Sequence, residues 1–270
     1  MPLCKTLLFS CIILLLGTSA CHDDPAIAVC KPVALIFTTD SIVYSYNEDR
    51  KVTMISYYSL GRKTSRDDLT YNSKGALVIV ARSLIAFDGS TTVDSHHAIS
   101  YGSNGNPSSV STDSNNGHYV TNFTHDSDGR LTIAETASGI QQSFVGKTRY
   151  EYDENGNIPK IFYTVNINQQ VVEVLARENL SFDDKEKFYA NSAELKTCYE
   201  YVFGFLPNRN NCLRSTVYYY SYSQRFVTPQ SVTFTPDYNQ QGLITSLQSS
   251  ISTQLYSGEL LFKGARYDCR

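Results

Sequence analysis

A short pattern recurs along the chain: an aromatic residue or His, three residues, Gly, one residue, then an apolar residue or Pro. It reads Tyr71–Gly75–Leu77, Tyr101–Gly105–Pro107, His125–Gly129–Leu131, Tyr152–Gly156–Ile158 and Tyr238–Gly242–Ile244. Tyr46–Arg50–Val52 is a copy without the Gly. The pattern predicts a β-hairpin. The aromatic ends one strand, polar residues turn, Gly takes the positive φ the turn needs, and the apolar residue begins the return strand. Asn104-Gly105, Asp128-Gly129 and Asn155-Gly156 are the strongest short-range hairpin dipeptides. Between these tips lie other breakers: Asp88-Gly89, Asn116-Gly117, the Gly139 to Gly146 stretch and Asn166-Ile167-Asn168. Turns therefore alternate between two edges of a sheet, which is an up-and-down antiparallel meander.

The segments between the turns agree. Ile161-Phe162-Tyr163-Thr164-Val165-Asn166-Ile167 places apolar or aromatic residues at odd positions and mostly polar ones at even positions. That period of two marks strands with one wet face. β-Branched and Tyr enrichment over residues 217–222 and 232–235 points the same way. One interval, Glu178 to about Lys196, has no alternation and carries helix formers, with Asp183-Asp184 offering a helix start. It predicts one short helix or structured loop near 179–196, covering an end of the sheet. Leu206 to Asn211 reads as a loop before the last strands. With no Pro- or Ser-rich linker, residues 31–270 read as a single β domain. A sheet of this many strands twists and cannot leave long edges exposed, so the fold class is all-β, a strongly curled sheet or a closed barrel.

The N-terminus changes the picture of where this domain works. Lys5 precedes an apolar run from Leu7 to Leu16, followed by Gly17-Thr18-Ser19-Ala20 and Cys21. The run is too short to span a bilayer and fits a secretory signal over residues 1–20. The stretch resembles a lipoprotein signal, with Thr18 where that pattern usually has Leu. Two outcomes are open: cleavage before a lipid-modified Cys21, with 21–30 as anchor linker, or ordinary cleavage that releases a periplasmic or secreted protein. Using Cys21 for lipid leaves an even four cysteines, Cys30, Cys198, Cys212 and Cys269, as an oxidising compartment favours. His22-Asp23-Asp24 is similar to the acidic export signal of Bacteroidetes surface lipoproteins.

Tyr152-Asp153-Glu154-Asn155-Gly156 and its relatives resemble YD-type repeats. Together with the signal and the segment Phe182-Asp183-Asp184-Lys185, they resemble a group of Bacteroidetes surface lipoproteins of unknown function. That resemblance implies a porin-like β fold and carries over no activity. A transmembrane porin is disfavoured by Cys21, by a terminal Arg270 in place of an aromatic, and by charged positions in many strands.

Chemistry is thin. Net charge is −3, without the basic surplus that nucleic-acid binding needs. Val145-Gly146-Lys147-Thr148 has Gln141 where a phosphate-binding loop requires Gly. His96, His97, His118 and His125 are histidines of strands, and adjacent strand residues face opposite ways, so one metal site cannot easily use both His96 and His97. No cofactor or metal is expected. Asp183, Asp184, Glu151, Asp153 and Glu154 read as turn residues and solvated charges. Two disulfides are candidates: Cys198–Cys212 around the Pro207 loop, favoured over buried thiols, and Cys30–Cys269, which would staple the first strand to the last. Tyr218, Tyr220 and Tyr222 share one strand face and could stack on sugar rings or grip a peptide, though sheet packing is the ordinary role. The expectation is a surface-anchored, non-enzymatic binding or scaffolding protein at the outer membrane, with a glycan or protein ligand and no nucleic acid. A hydrolase of extracellular polymer with acids inside the curled sheet, and a purely structural protein, are the alternatives.

Overall fold

The structure, a computed structural model, describes residues 30–138, 144–167, 170–218, 229–250 and 261–269. The signal, Cys21, Tyr220 and Tyr222 lie outside them. Among the described residues sixteen strands form one antiparallel sheet. The first eight are β1 (Cys30–Ile36), β2 (Asp40–Tyr46), β3 (Val52–Ser59), β4 (Arg62–Tyr71), β5 (Leu77–Ile85), β6 (Thr91–Tyr101), β7 (Pro107–Ser114) and β8 (Gly117–His125). They continue as β9 (Leu131–Ser138), β10 (Phe144–Glu151), β11 (Lys160–Ile167), β12 (Gln170–Glu186), β13 (Asn210–Val217), β14 (Gln230–Tyr238), β15 (Ile244–Ser249) and β16 (Gly264–Cys269). Each strand pairs with its sequence neighbour from β1 to β15, and β16 returns to pair with β1. Leu247 and Phe262 exchange backbone hydrogen bonds of 2.8 and 2.9 Å beside β15, so the meander is a nearly closed barrel.

Cys30 and Cys269 face each other across the β1–β16 seam and form a disulfide. Cys198 and Cys212 do not form the second one. Both are buried thiols, and Cys212 Sγ donates to Asn179 Oδ1 at 3.4 Å. Cys212 is fixed in the barrel wall on β13, while Cys198 sits in an inserted helical turn, so flanking a loop in sequence did not make them partners.

Gly75, Gly105, Gly129, Gly156 and Gly242 have φ between +75° and +82°. Arg50, in the copy without Gly, adopts φ +58°. Five of these turns are built alike by an Asx side chain. In one, Asp153 Oδ1 accepts from Asn155 N and Asn157 N, and Asp153 N donates to Asn157 O. The repeat aromatic has a second task. Tyr46, Tyr71, Tyr101 and Tyr152 donate their hydroxyls to the carbonyls of Pro32, Val52, Leu77 and Leu131. Tyr267 does the same to Ile244. Each acceptor except Pro32 opens the return strand of another hairpin, so the rings are struts that tie hairpins together along one rim.

A polar row crosses the outer wall. Register aligns Ser100, Ser109, Asn122, Glu135, Lys147, Thr164 and Glu173 in one row across β6–β12. Ser100, Asn122 and Glu135 on it are exposed. The inner face is apolar towards the strut rim and more polar beyond it. Ile99, Val110 and Val80 are buried; further along stand Ser95, Ser114 and the Asp67–Arg82 pair.

The helix exists but starts later than the composition suggests. Residues 178–186 belong to β12, whose three register shifts against β13 erase the period of two. Asp183 starts no helix; its carboxylate accepts from Lys185 N, Asn211 N and Asn211 Nδ2. The helix α1 (Ala193–Thr197) begins at Ser192, whose Oγ accepts from Leu195 N, and runs on as a π-helical turn over Cys198–Val202. With its flanks, residues 187–209 form an insert into the strut end of the barrel. Tyr189 and Tyr199 stack at 5.2 Å, and Phe188, Phe203 and Phe205 meet Tyr199 edge-on. Tyr199 and Tyr44 share a hydroxyl hydrogen bond, and Arg82 lies between the rings of Tyr57 and Phe203. This insert is the plug.

Two outcomes test this account. Replacing Cys30 by Ser opens a loop spanning 239 residues and is expected to cost about 2–5 kcal/mol in urea unfolding. Tyr101→Phe leaves the Leu77 carbonyl without its 2.6 Å donor and is expected to cost about 1 kcal/mol in the same measurement.

Candidate functional site

Where the plug meets the strut rim, two hairpin turns frame a cavity of about 350 Å³. Its walls come from the turn after β8, the turn after β10, and the plug. Asp126 accepts from Asp128 N and Arg130 N through Oδ1, and from Arg130 Nε through Oδ2 at 2.7 Å. This sets the Arg130 guanidinium 4.8 Å over the Tyr152 ring. Asn157 and Asn210 exchange hydrogen bonds of 3.2 and 2.9 Å, Asn208 Oδ1 accepts from Ile158 N, and Arg209 N donates to Gly156 O. The chain leaving the plug is thereby clamped to the second turn, with Asn208 and Arg209 at the cavity wall.

The plug supplies Glu200, Tyr201, Lys196, Lys187 and Tyr189. Tyr201 packs edge-on against Phe123 at 5.0 Å and shares a 3.1 Å hydrogen bond with His125 Nε2. Burial pushes the His125 pKa down and the Tyr201 hydroxyl up. Glu200 lines the cavity yet is only 6% exposed. Burial raises its carboxyl to about 7, against the pull of Lys196 and Lys187. The site thus combines aromatic rings, an amide, two guanidinium groups and one carboxyl that changes charge near neutrality. Such a set recognises a small polar ligand by stacking and hydrogen bonding. Among the described residues no three His, Cys, Asp or Glu side chains converge to hold a metal.

The other sequence candidates stand apart. Tyr218 donates to Glu178 Oε2 at 2.7 Å and is not at the cavity. His118 pairs with Asp113 at 2.6 Å and His97 with Thr112 at 3.0 Å, from the two strands that flank β7 and on different faces of the sheet. Glu151 is held by Arg149 on the outer wall. Glu200 and Arg209 were missed. One signal for Glu200 was present: a lone carboxylate inside the run Tyr199-Glu200-Tyr201-Val202-Phe203.

One solved structure is similar in fold, and two others match more loosely. A porin-like protein from Bacteroides uniformis is similar over 89% of this chain and 96% of its own, at TM-score 0.50 and 10% identity. A porin-like protein from Bacteroides vulgatus covers 89% and 98% at TM-score 0.45 and 12% identity. A Photorhabdus luminescens Tc holotoxin pore structure matches over 78% of this chain but 9% of its own, at TM-score 0.37 and 15% identity. At 10% identity the likeness to the first of these concerns the fold alone. No family model and no curated protein matches the sequence.

The raised Glu200 carboxyl has a measurable consequence. Between its ordinary value of 4.5 and about 7 the folded chain holds a proton that the unfolded chain has released. Stability is therefore expected to fall as pH rises through that window and to level off above it. Each tenfold difference in proton affinity between the folded and unfolded chain is worth about 1.4 kcal/mol. Glu200→Gln is expected to flatten the fall in urea unfolding followed from pH 5 to pH 8.

Proposed function

We propose that the protein is a non-enzymatic, lipid-anchored surface protein that binds glycan at the rim cavity. The cavity carries the reading. It has the volume of a small ligand and opens between Tyr152, Tyr201, Arg130, Arg209 and Asn208, with Glu200 at its wall. Flat aromatic faces beside planar hydrogen-bonding groups suit sugar rings and their hydroxyls. Lipid on Cys21 provides the membrane attachment, at about 0.8 kcal/mol per buried methylene. The first strand starts at Cys30, so a short linker would hold the strut end of the barrel near the anchor. The polar row on the outer wall supports a barrel carried beside a membrane rather than through it. "Porin-like", the description of the two Bacteroides proteins, is accordingly taken for the shape and for an outer-membrane setting.

Hydrolysis is the second reading, favoured by one observation: a buried carboxyl with a raised pKa in a cavity that Asp128 and Glu186 also line. Asp128 is 3.3 Å from Arg130 and mostly exposed, and Glu186 is exposed, so the paired buried acids of a glycosidase are not assembled.

Glycan-array binding of the purified protein is the test. Tyr201→Ala is expected to weaken any hit at least tenfold while Tyr218→Ala leaves it unchanged. Product release from the bound glycan that Glu200→Gln abolishes would establish the hydrolase instead. For the anchor, the full chain with Cys21→Ser is expected to leave the membrane fraction without detergent. Retention after alkaline carbonate extraction would mean that the wall itself enters the bilayer.

A further inference from the structure

Above the plug, on the inner wall of β12 and β13, stands an arginine with no counter-charge. Arg177 is 4% exposed, and its Nε donates to Asn179 Oδ1 at 2.5 Å. Neither Nη1 nor Nη2 has a hydrogen-bond partner, and no ion pair involves it among the described residues. Ser215 lies opposite Asn179 in the β12–β13 register. It is fully buried, and its Oγ is also without a partner. The bond from Arg177 Nε to Asn179 directs the guanidinium along β12 towards Ser215. Two orphaned donors of the guanidinium and an orphaned hydroxyl therefore share one patch of wall.

The surroundings say what would fill it. The Phe234 ring lies 5.4 Å from the Arg177 guanidinium carbon. Asn179 is spent on other contacts: its Nδ2 donates to Ile158 O at 2.6 Å and its Oδ1 also accepts from Cys212 Sγ. An uncompensated buried cation costs several kcal/mol, and two free parallel N–H groups are the geometry that grips a planar oxyanion in bidentate fashion. One positive charge is balanced by one negative charge, which favours a carboxylate over a dianion. The same face is more open further along. Ile161 pairs with Arg177, and Tyr163, two residues along β11, is 47% exposed although it points inward with Thr148. The patch thus sits where the sealed part of the lumen gives way to the wet part.

We propose that the Arg177–Ser215 patch is an internal binding site for a carboxylate-bearing ligand, held by both Arg177 Nη groups and Ser215 Oγ. None of its residues lines the rim cavity, so the site is separate from the proposed glycan site.

The test is thermal unfolding of the purified protein in chloride buffer, titrated with acetate or glucuronate and, at matched ionic strength, with sulfate. Wild type is expected to show a saturable rise in Tm of a few degrees with the carboxylates and none beyond the ionic-strength effect with sulfate. Arg177→Met, which keeps the volume and removes the charge, is expected to lose the rise. Ser215→Ala is expected to shift its midpoint several-fold to higher concentration, and this milder variant serves if Arg177→Met does not fold. Glu200→Gln is expected to leave the response intact, which separates this site from the rim cavity. An equal rise with sulfate, the same rise in Arg177→Met, or no rise in wild type up to 100-fold excess over protein would each overturn the proposal.

Discussion

A sheet of sixteen strands has two edges and, once curled, a lumen too wide for its own side chains to fill. Both problems arise from the same geometry, and the rest of the structure answers them. The edges are joined by pairing β1 with β16, covalently fixed by Cys30–Cys269, and by the backbone exchange between Leu247 and Phe262. The lumen is filled at one end by a plug that β12 and β13 hold between them. Its stacked Tyr189 and Tyr199 provide the apolar surface that the inner positions Val52, Leu77, Val80 and Ile244 require. Without the plug those residues would face water.

The two ends consequently differ in character. The strut end is rigid, because four of the five repeat tyrosines bind a carbonyl of another hairpin and because Asx side chains satisfy the amides of five turns. Cations reinforce it: Lys51 sits 5.3 Å from the Tyr71 ring and donates to Gly75 O, and Arg130 covers Tyr152. A cavity framed by such turns is preorganised, so little ordering opposes a ligand entering it. The other end presents short hairpins with exposed apolar tips at Leu60 and Phe87, 81% and 90% exposed, and a more polar lumen. Arg177 lies in the transition between these regimes.

Much of the barrel was legible because its signals are local. Gly75 or Gly129 needs a positive φ whatever the distant contacts are, so an Asn-Gly or Asp-Gly step reports a turn from a few residues alone. Alternation at 161–164 reports a face in the same way. The reading weakens where long-range demands override local ones. The bulges of β12 exist to fit β13 and hide a strand at 178–186 behind a pattern without period. Cys198 and Cys212 are close in sequence, yet one belongs to the plug and the other to the wall. The repeat tyrosines looked like strand ends, and their role as struts depends on a neighbour 14 to 24 residues away.

By itself, then, the sequence determined the antiparallel meander, the alternation of its turns and strands with one wet face, since each follows from backbone sterics and a period of two. Only the tertiary structure decided that the meander closes, that residues 187–209 fold into the lumen, and that Glu200 and Arg177 end up buried. Closure and filling depend on the width of the whole sheet, a quantity no short window contains. A carboxyl or a guanidinium acquires its chemistry from the water removed around it, which the chain alone does not specify.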